Sequence, residues 1–249
     1  MLSVIELERA LAALGLEAPV RSDEVTGSTN ATAVELAEAG APEWTLVAAG
    51  HQTTGRGRLG RTWTDVPGAA LMFSFVLRPT LDPEYTGLIP LLAGSAMAAA
   101  IRDVVGIEVR CKWPNDLLLG GGKVGGILAE ASIVAGRVRY VIVGIGLNLE
   151  PPTDVEAAKG LGGDADPAKV LSAFLRRFRD GYVRLPEGAV DAWTAVSATL
   201  GSDVEVARVG GQPVRGRAIA VDERGSLVIR TANGRETVSS GEVEHLGSA

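Results

Sequence analysis

Residues 123–148 read KVGGILAEASIVAGRVRYVIVGIGLN, and this stretch decides the architecture. Two apolar runs, Lys123–Glu130 and Arg137–Leu147, flank the short connector Ser132–Gly136. A connector of that length closes a hairpin and leaves no room for the crossover helix that a parallel pair needs. The pair is therefore antiparallel, and with the helices read on either side of it the chain is α+β. Glycines inside strands mark a bulge or a close approach of another group. A bulge would explain Gly125 and Gly126, but not the Lys123 and Asn148 that frame the two glycine pairs.

Upstream, Gly120–Gly122 forms a turn. Asp116–Leu119 and Ile107–Lys112 are short strands around a Trp-Pro-Asn break. Pro83–Val105 is a long helix closed by Gly106, with Leu88, Leu91, Leu92, Ser95, Ala96 and Ala99 on one side. Ala70–Leu77, Trp44–Ala49 and Pro19–Val25 are strands. A helix runs from Ser28 to Gly40, and Ser3 with Glu6 forms a capping box for a helix to about Leu14.

Downstream, Asn148–Asp166 is polar loop with a short helical turn. Asp166-Pro167 has the N-cap and first-turn proline of a helix to about Tyr182, and Pro186–Ala198 is a further helix. After Gly201 the pattern alternates through Val204, Val206, Val209, Val214, Ala218, Ile219, Val221, Leu227, Ile229 and Val238. Asp222–Gly225 and Asn233-Gly234 are hairpin turns. Four or five short strands there predict a small barrel, dividing the chain into 1–200 and 201–249.

The 249 residues are 46% hydrophobic and only 4% aromatic, so the core is mostly Ala, Val, Leu and Ile. The net charge of −6 argues against a dedicated nucleic-acid binder. A single cysteine, Cys111, excludes an intramolecular disulfide and a thiolate metal cluster. Glu6, Glu8 and Arg9 break the N-terminus as a signal peptide, and the Ala-rich run Pro90–Ile101 is too short to span a bilayer. A cytoplasmic protein without a membrane partner is expected.

Chemistry concentrates in three segments. Gly50–Arg61 (GHQTTGRGRLGR) carries three arginines in its last six positions, and no acidic residue occurs between Trp44 and Thr64. Interleaved glycines expose backbone N–H groups, and arginine forks pair with phosphates and carboxylates. A solvated basic loop or a Gly/Arg RNA-binding tract would look similar. Cys111–Leu117 (CKWPNDL) uses Pro114 to present Asn115 and Asp116 at a fixed break beside Lys112. The alternative there is an ordinary turn with a surface lysine. Gly122–Glu130 and Gly144–Asn148 are the glycine strands quoted above. Ser28-Thr29-Asn30, at a helix start, also reads as a plain helix cap.

Together these segments resemble the biotin–protein ligase family. The matches are Ser28-Thr29-Asn30, Gly55-Arg-Gly-Arg-Leu-Gly-Arg61, Lys112-Trp-Pro-Asn-Asp116, and Lys123-Val-Gly-Gly-Ile-Leu with the later Gly-Ile-Gly-Leu-Asn148. They span about residues 22–150.

The resemblance implies a mixed sheet with helices packed on one face, like the class II aminoacyl-tRNA synthetase and biotin synthetase fold, plus a C-terminal SH3-like β-barrel. It implies an ATP-dependent biotin–[acetyl-CoA-carboxylase] ligase. Such an enzyme forms biotinyl-5′-AMP and then biotinylates a lysine of a biotin carboxyl carrier domain. Biotin, ATP and Mg²⁺ are implied, the cation near Asp116 without a dedicated protein cage.

The implied biotin contacts are Ser28, Thr29, Asn30, Gln52, Arg56, Gly57, Arg58 and Lys112. The implied nucleotide contacts are Arg56, Arg58, Arg61, Trp63, Asn115, Asp116, Lys123 and Asn148. Lys112, Arg58, Lys123 and Asp116 are the implied catalytic set. Many bacterial members carry an N-terminal winged helix. About 25 residues precede Ser28-Thr29-Asn30, too few for one, so no DNA partner is expected. The nearest rival is a lipoate–protein ligase or octanoyltransferase, which shares the catalytic fold.

Overall fold

The computed structural model describes residues 1–152, 155, 157–208 and 211–246. Its first part contains α1 (Val4–Ala12), β1 (Val20–Thr26), α2 (Thr29–Glu38), β2 (Leu46–Gln52), β3 (Ala70–Leu77), α3 (Leu88–Val105), β4 (Arg110–Lys112), β5 (Asp116–Leu119), β6 (Gly122–Val134), β7 (Arg137–Asn148), α4 (Pro167–Tyr182) and α5 (Ala189–Ala195). The seven strands form one sheet in the order β1-β2-β3-β7-β6-β5-β4. β1 and β2 are parallel, with α2 as the crossover between them, and every other pair is antiparallel.

The hairpin that decided the fold class is present with longer strands than expected. β6 and β7 pair from Gly125↔Leu147 to Val134↔Arg137. Only Ala135 and Gly136 remain in the turn, at φ 49° and 73°. Two positive φ angles give a turn whose twist matches that of the strands it joins.

Strand alternation separates two cores. Leu46, Ala48, Phe73, Phe75, Val141 and Val143 join the main cluster with residues of α1, α3 and α4. Val47, Val76, Tyr140 and Ile142 point the other way and pack under Ala33 and Ala37 of α2. Helices therefore lie on both faces, not on one. All four phenylalanines meet in one place: Phe73, Phe75, Phe174 and Phe178 stack with one another and with Trp44. The segment Pro83–Val105 is long and apolar enough by composition to cross a membrane, and 67% of its apolar 18-residue stretch is buried inside the protein.

The second part holds β8 (Asp203–Ala207), β9 (Val214–Val221), β10 (Leu227–Thr231), β11 (Gly234–Val238) and β12 (Glu242–His245). The expected small SH3-like barrel is not formed. The sheet order is β11-β10-β9-β8-β12, with β11 and β12 as unpaired edges, so no ladder closes it. The link from Val238 to Glu242 spans at most about 14 Å. A flat five-stranded sheet would separate its edges by about 19 Å. The sheet must curl, and the curl stops short of closure. Its apolar residues Val204, Val206, Ala218, Leu227, Ile229 and Val243 belong to the same buried cluster as α3 and α4.

Other boundaries moved for local reasons. The long helix is a 3₁₀ turn, Pro83–Tyr85, followed by α3 from Leu88. They meet at Gly87, where a side chain would lie 2.8 Å from the Arg224 carbonyl. Gly188, at φ 76°, delays α5 to Ala189. The capping box at Ser3 and the Asp166 cap on α4 are as expected. Val209, read as part of a tail strand, lies outside the described residues, as do 153, 154 and 156 of the loop before α4.

Cys111 sits on β4, 2% exposed, and burial pushes its thiol up to about 12 from an ordinary 9.0. Between those values the unfolded chain loses this proton and the folded chain keeps it. Stability is therefore unaffected below pH 9 and falls as pH rises from there, by at most about 1.4 kcal/mol per pH unit. Chemical denaturation between pH 8 and 10.5 should show a steeper loss for the native sequence than for Cys111→Ala. Parallel curves would refute the assignment.

Candidate active site

A cleft of about 290 Å³, the size of a small-molecule site, opens on the α2 face of the large sheet. Its floor follows from strand register. Ser74 pairs with Gly144, which pairs with Leu128; Met72 pairs with Gly146, which pairs with Gly126. Glycines at 126, 144 and 146 thus remove side chains from adjacent positions on one face. Others fill the space. A Cβ on Gly144 would stand 1.8 Å from Asn30 Oδ1, and one on Gly146 would stand 2.6 Å from the Trp63 ring.

One end of the cleft is neutral and polar. Gln52 Oε1 accepts from Thr29 N at 2.7 Å and from Thr29 Oγ1 at 3.1 Å. Ser74 Oγ donates to Asn30 Oδ1 at 2.6 Å and lies 2.8 Å from Thr29 Oγ1. Asn30 Nδ2 donates to Leu128 O at 3.2 Å and to Glu130 Oε2 at 2.6 Å. Ser28 stands at the N-cap of α2 but makes no cap hydrogen bond. The plain-cap alternative therefore does not account for it. Leu128 lines the middle of the cleft beside the bare backbone of Gly144 and Gly146, while the neighbouring Ile127 and Ile145 turn to the other face and join the main core.

The other end is cationic. Lys112 reaches it from β4, and Asp116 and Lys123 from β5 and β6. Lys123 Nζ is 2.6 Å from Asp116 Oδ1. Asn115 holds its corner through Asn115 Nδ2 donating to Ile127 O at 2.9 Å and Ile127 N donating to Asn115 O at 2.9 Å.

The glycine–arginine loop closes the top. It is pinned by backbone bonds from Thr53 N to Thr26 O and from Thr54 N to Gly27 O. Arg56 pairs with Glu130 at 3.3 Å and Arg61 pairs with Glu242. Arg58 Nη1 donates to Gly241 O at 3.3 Å. Burial lowers the Arg58 pKa, opposed by the Asp116 and Glu242 carboxylates; an arginine stays charged regardless. Among the described residues Lys112 has no carboxylate within ion-pair distance.

All the expected site residues line this cleft except Asn148. That residue is buried, and its Nδ2 donates to Lys159 O at 3.1 Å. Sequence reasoning missed Ser74, Glu130, Gly241, Glu242 and Val243. Ser74 had a readable signal, being the one polar residue in the eight of Ala70–Leu77, and it is fully buried. Gly241–Val243 come from the curled sheet, whose return toward the cleft has no local signature. Partial burial and the nearby Lys112 charge also hold His245 below the usual imidazole range.

The cleft offers a neutral hydrogen-bonding end, an apolar middle and a cationic end. Trp63 Nε1, buried there, has no hydrogen-bond partner among the described residues. Buried donors are nearly always satisfied, so a ligand acceptor is expected at it.

Comparison with known proteins gives a consistent result. The Biotin/lipoate A/B protein ligase family matches residues 23–148, and the Biotin protein ligase C terminal domain matches residues 199–246. A Biotin–[acetyl-CoA-carboxylase] ligase of Mycobacterium tuberculosis is 35% identical, over 89% of this chain and 86% of the relative. The bifunctional ligase/repressor BirA of Bacillus subtilis is 34% identical, over 89% of this chain and 72% of the relative. The solved biotin protein ligase of Aquifex aeolicus in complex with biotin and ATP superposes with a TM-score of 0.76 at 28% identity, covering 92% of this chain and 99% of that one.

Proposed function

The chain belongs to the biotin protein ligase family and is an ATP-dependent biotin–protein ligase; from that premise we propose how its cleft divides the work. The observation that carries the proposal is Lys112, which among the described residues has no carboxylate partner, at the cationic end of a cleft whose other end is neutral. Biotin has the same polarity: a ureido ring, an aliphatic chain and a carboxylate. Thr29, Asn30, Gln52 and Ser28 take the ring, Leu128 and the side-chain-free strand at Gly144 and Gly146 flank the chain, and the carboxylate meets Lys112. ATP lies over Asn115, Asp116, Lys123 and Trp63, with Arg56, Arg58 and Arg61 closing on its phosphates and Gly57 giving backbone approach.

In the first step a biotin carboxylate oxygen attacks the α-phosphorus and the bond to pyrophosphate breaks. Two anions must approach, and a fixed cation between them lowers the barrier most as charge builds in the transition state. In the second step the acceptor lysine amine attacks the acyl carbon, loses a proton to solvent, and AMP departs. We assign the acceptor as a biotin carboxyl carrier domain of an acyl-CoA carboxylase, in the cytoplasm.

The chain's own residues do not fit a resident metal. Asp116 is engaged by Lys123, and no group of three potential ligands occurs among the described residues. Mg²⁺ would arrive with the nucleotide as part of the substrate.

Biotin-dependent ATP–pyrophosphate exchange tests substrate and first step together. Exchange with biotin and none with lipoate or octanoate is expected. The reverse pattern would return the cleft to the lipoate–ligase reading.

A further inference from the structure

Glu130 lies just outside the cleft, yet it touches both of its halves. Its Oε2 accepts from Asn30 Nδ2 at 2.6 Å, under the neutral end. The same atom takes Arg56 Nη2 at 3.3 Å, from the loop that closes the top. Glu130 stands on β6, opposite Ile142, inside the sheet that forms the floor. Among the described residues it is the one carboxylate that pairs with both the floor and the loop.

The consequences for Asn30 are specific. Both hydrogens of its amide are spent, one on Leu128 O and one on Glu130. This fixes which way the amide faces, leaving Oδ1 toward Ser74 with one lone pair free. A ligand N–H can then be accepted at a preset point. The consequences for Arg56 follow from its five donors. One is committed to Glu130, which holds the guanidinium over the cleft while the others remain available to an anion.

Resting on the biotin-ligase reading, we infer that Glu130 is a positioning residue, a latch that orients Asn30 for the biotin ring and holds Arg56 closed over the adenylate. It touches neither substrate. Its charge sets how long the closed loop retains biotinyl-5′-AMP and how well biotin is captured, and the bond-making steps do not use it.

Glu130→Gln keeps an oxygen for Asn30 and removes the charge that Arg56 pairs with. The pair is partly exposed, its side chains 33% and 45% accessible. The expected effect is therefore modest, about three- to fivefold. The measured quantities are the biotin KM and kcat in pyrophosphate exchange, and the rate at which purified enzyme loses biotinyl-5′-AMP. Glu130→Gln should raise KM and speed loss of the intermediate by that factor, with kcat within twofold of the native enzyme.

Glu130→Asp, which keeps the charge, should recover part of the retention. In a double-mutant cycle Glu130→Gln should add little to the loss of intermediate caused by Arg56→Ala, since for that readout both break one contact. Native values in Glu130→Gln, additive effects with Arg56→Ala, or a loss confined to kcat would each overturn the latch. A native enzyme that shows no biotin-dependent exchange would instead overturn the functional reading beneath it.

Discussion

Replacing Lys112 with Ala should abolish biotin-dependent pyrophosphate exchange while the protein still melts normally. Lys112 faces the cleft, and among the described residues no carboxylate neutralises it. Its full charge is available to the carboxylate and the α-phosphate that must meet. Losing one such preorganised contact typically costs about 10²–10³-fold in rate. Arginine is a poor substitute, because its planar fork does not occupy the place of a compact ammonium. A lysine that merely ended a strand would change stability by about 0.5 kcal/mol on removal and leave activity intact. Exchange at saturating biotin and ATP, with thermal melting of the same sample, separates the two. A variant that melts normally and exchanges above about half the native rate would remove Lys112 from the mechanism. If melting drops sharply, Lys112→Met repeats the test with the stem's packing kept.

The second large effect comes from a residue with no side chain. Gly144→Ala should raise the biotin KM more than tenfold and lower the melting temperature by several degrees. The added carbon would stand 1.8 Å from Asn30 Oδ1 and 2.7 Å from its Cγ. Asn30 is 4% exposed and bound to Leu128 O, Glu130 and Ser74, so it has no free rotation with which to yield. Driving it out leaves buried polar groups unpaired, at about 1–3 kcal/mol each. In a protein this size 1 kcal/mol moves the melting point by about 2–4 °C. Gly163→Ala is the control, since its new carbon would meet nothing closer than Glu150 Oε1 at 3.6 Å. Native biotin affinity in Gly144→Ala would show that Asn30 does not form part of the ring pocket.

How legible the molecule was depended on whether the information was local. The hairpin at 123–148 could be read because a short connector has few solutions. The Asp166-Pro167 start of α4 could be read because a cap is a contact between near neighbours. The glycine spacing at 144 and 146 already placed both on one face of a strand, and register across to Gly126 turned it into a cleft floor. Glu130 and Glu242 were not readable. Each is an ordinary acid in its own strand and acquires a role only when Arg56 and Arg61 come to it from 74 and 181 residues away. The barrel failed for a related reason. Alternation and turns predict strands, but whether β11 and β12 pair depends on how far the whole sheet curls, and no single residue records that.

On the nucleotide placement proposed above, the paired cations around the cleft make substrate capture an exchange of counter-ions. Before a nucleotide arrives, Arg56, Arg61 and Lys123 already hold tethered anions in Glu130, Glu242 and Asp116. An incoming phosphate replaces these protein carboxylates as well as water. Tethered groups act at a high effective concentration. Free inorganic phosphate or sulfate, engaging one cation at a time, competes poorly against them. A polyphosphate spanning several cations at once can displace them together. On that placement the cleft would favour a polyphosphate over a single small anion by valency as well as by charge.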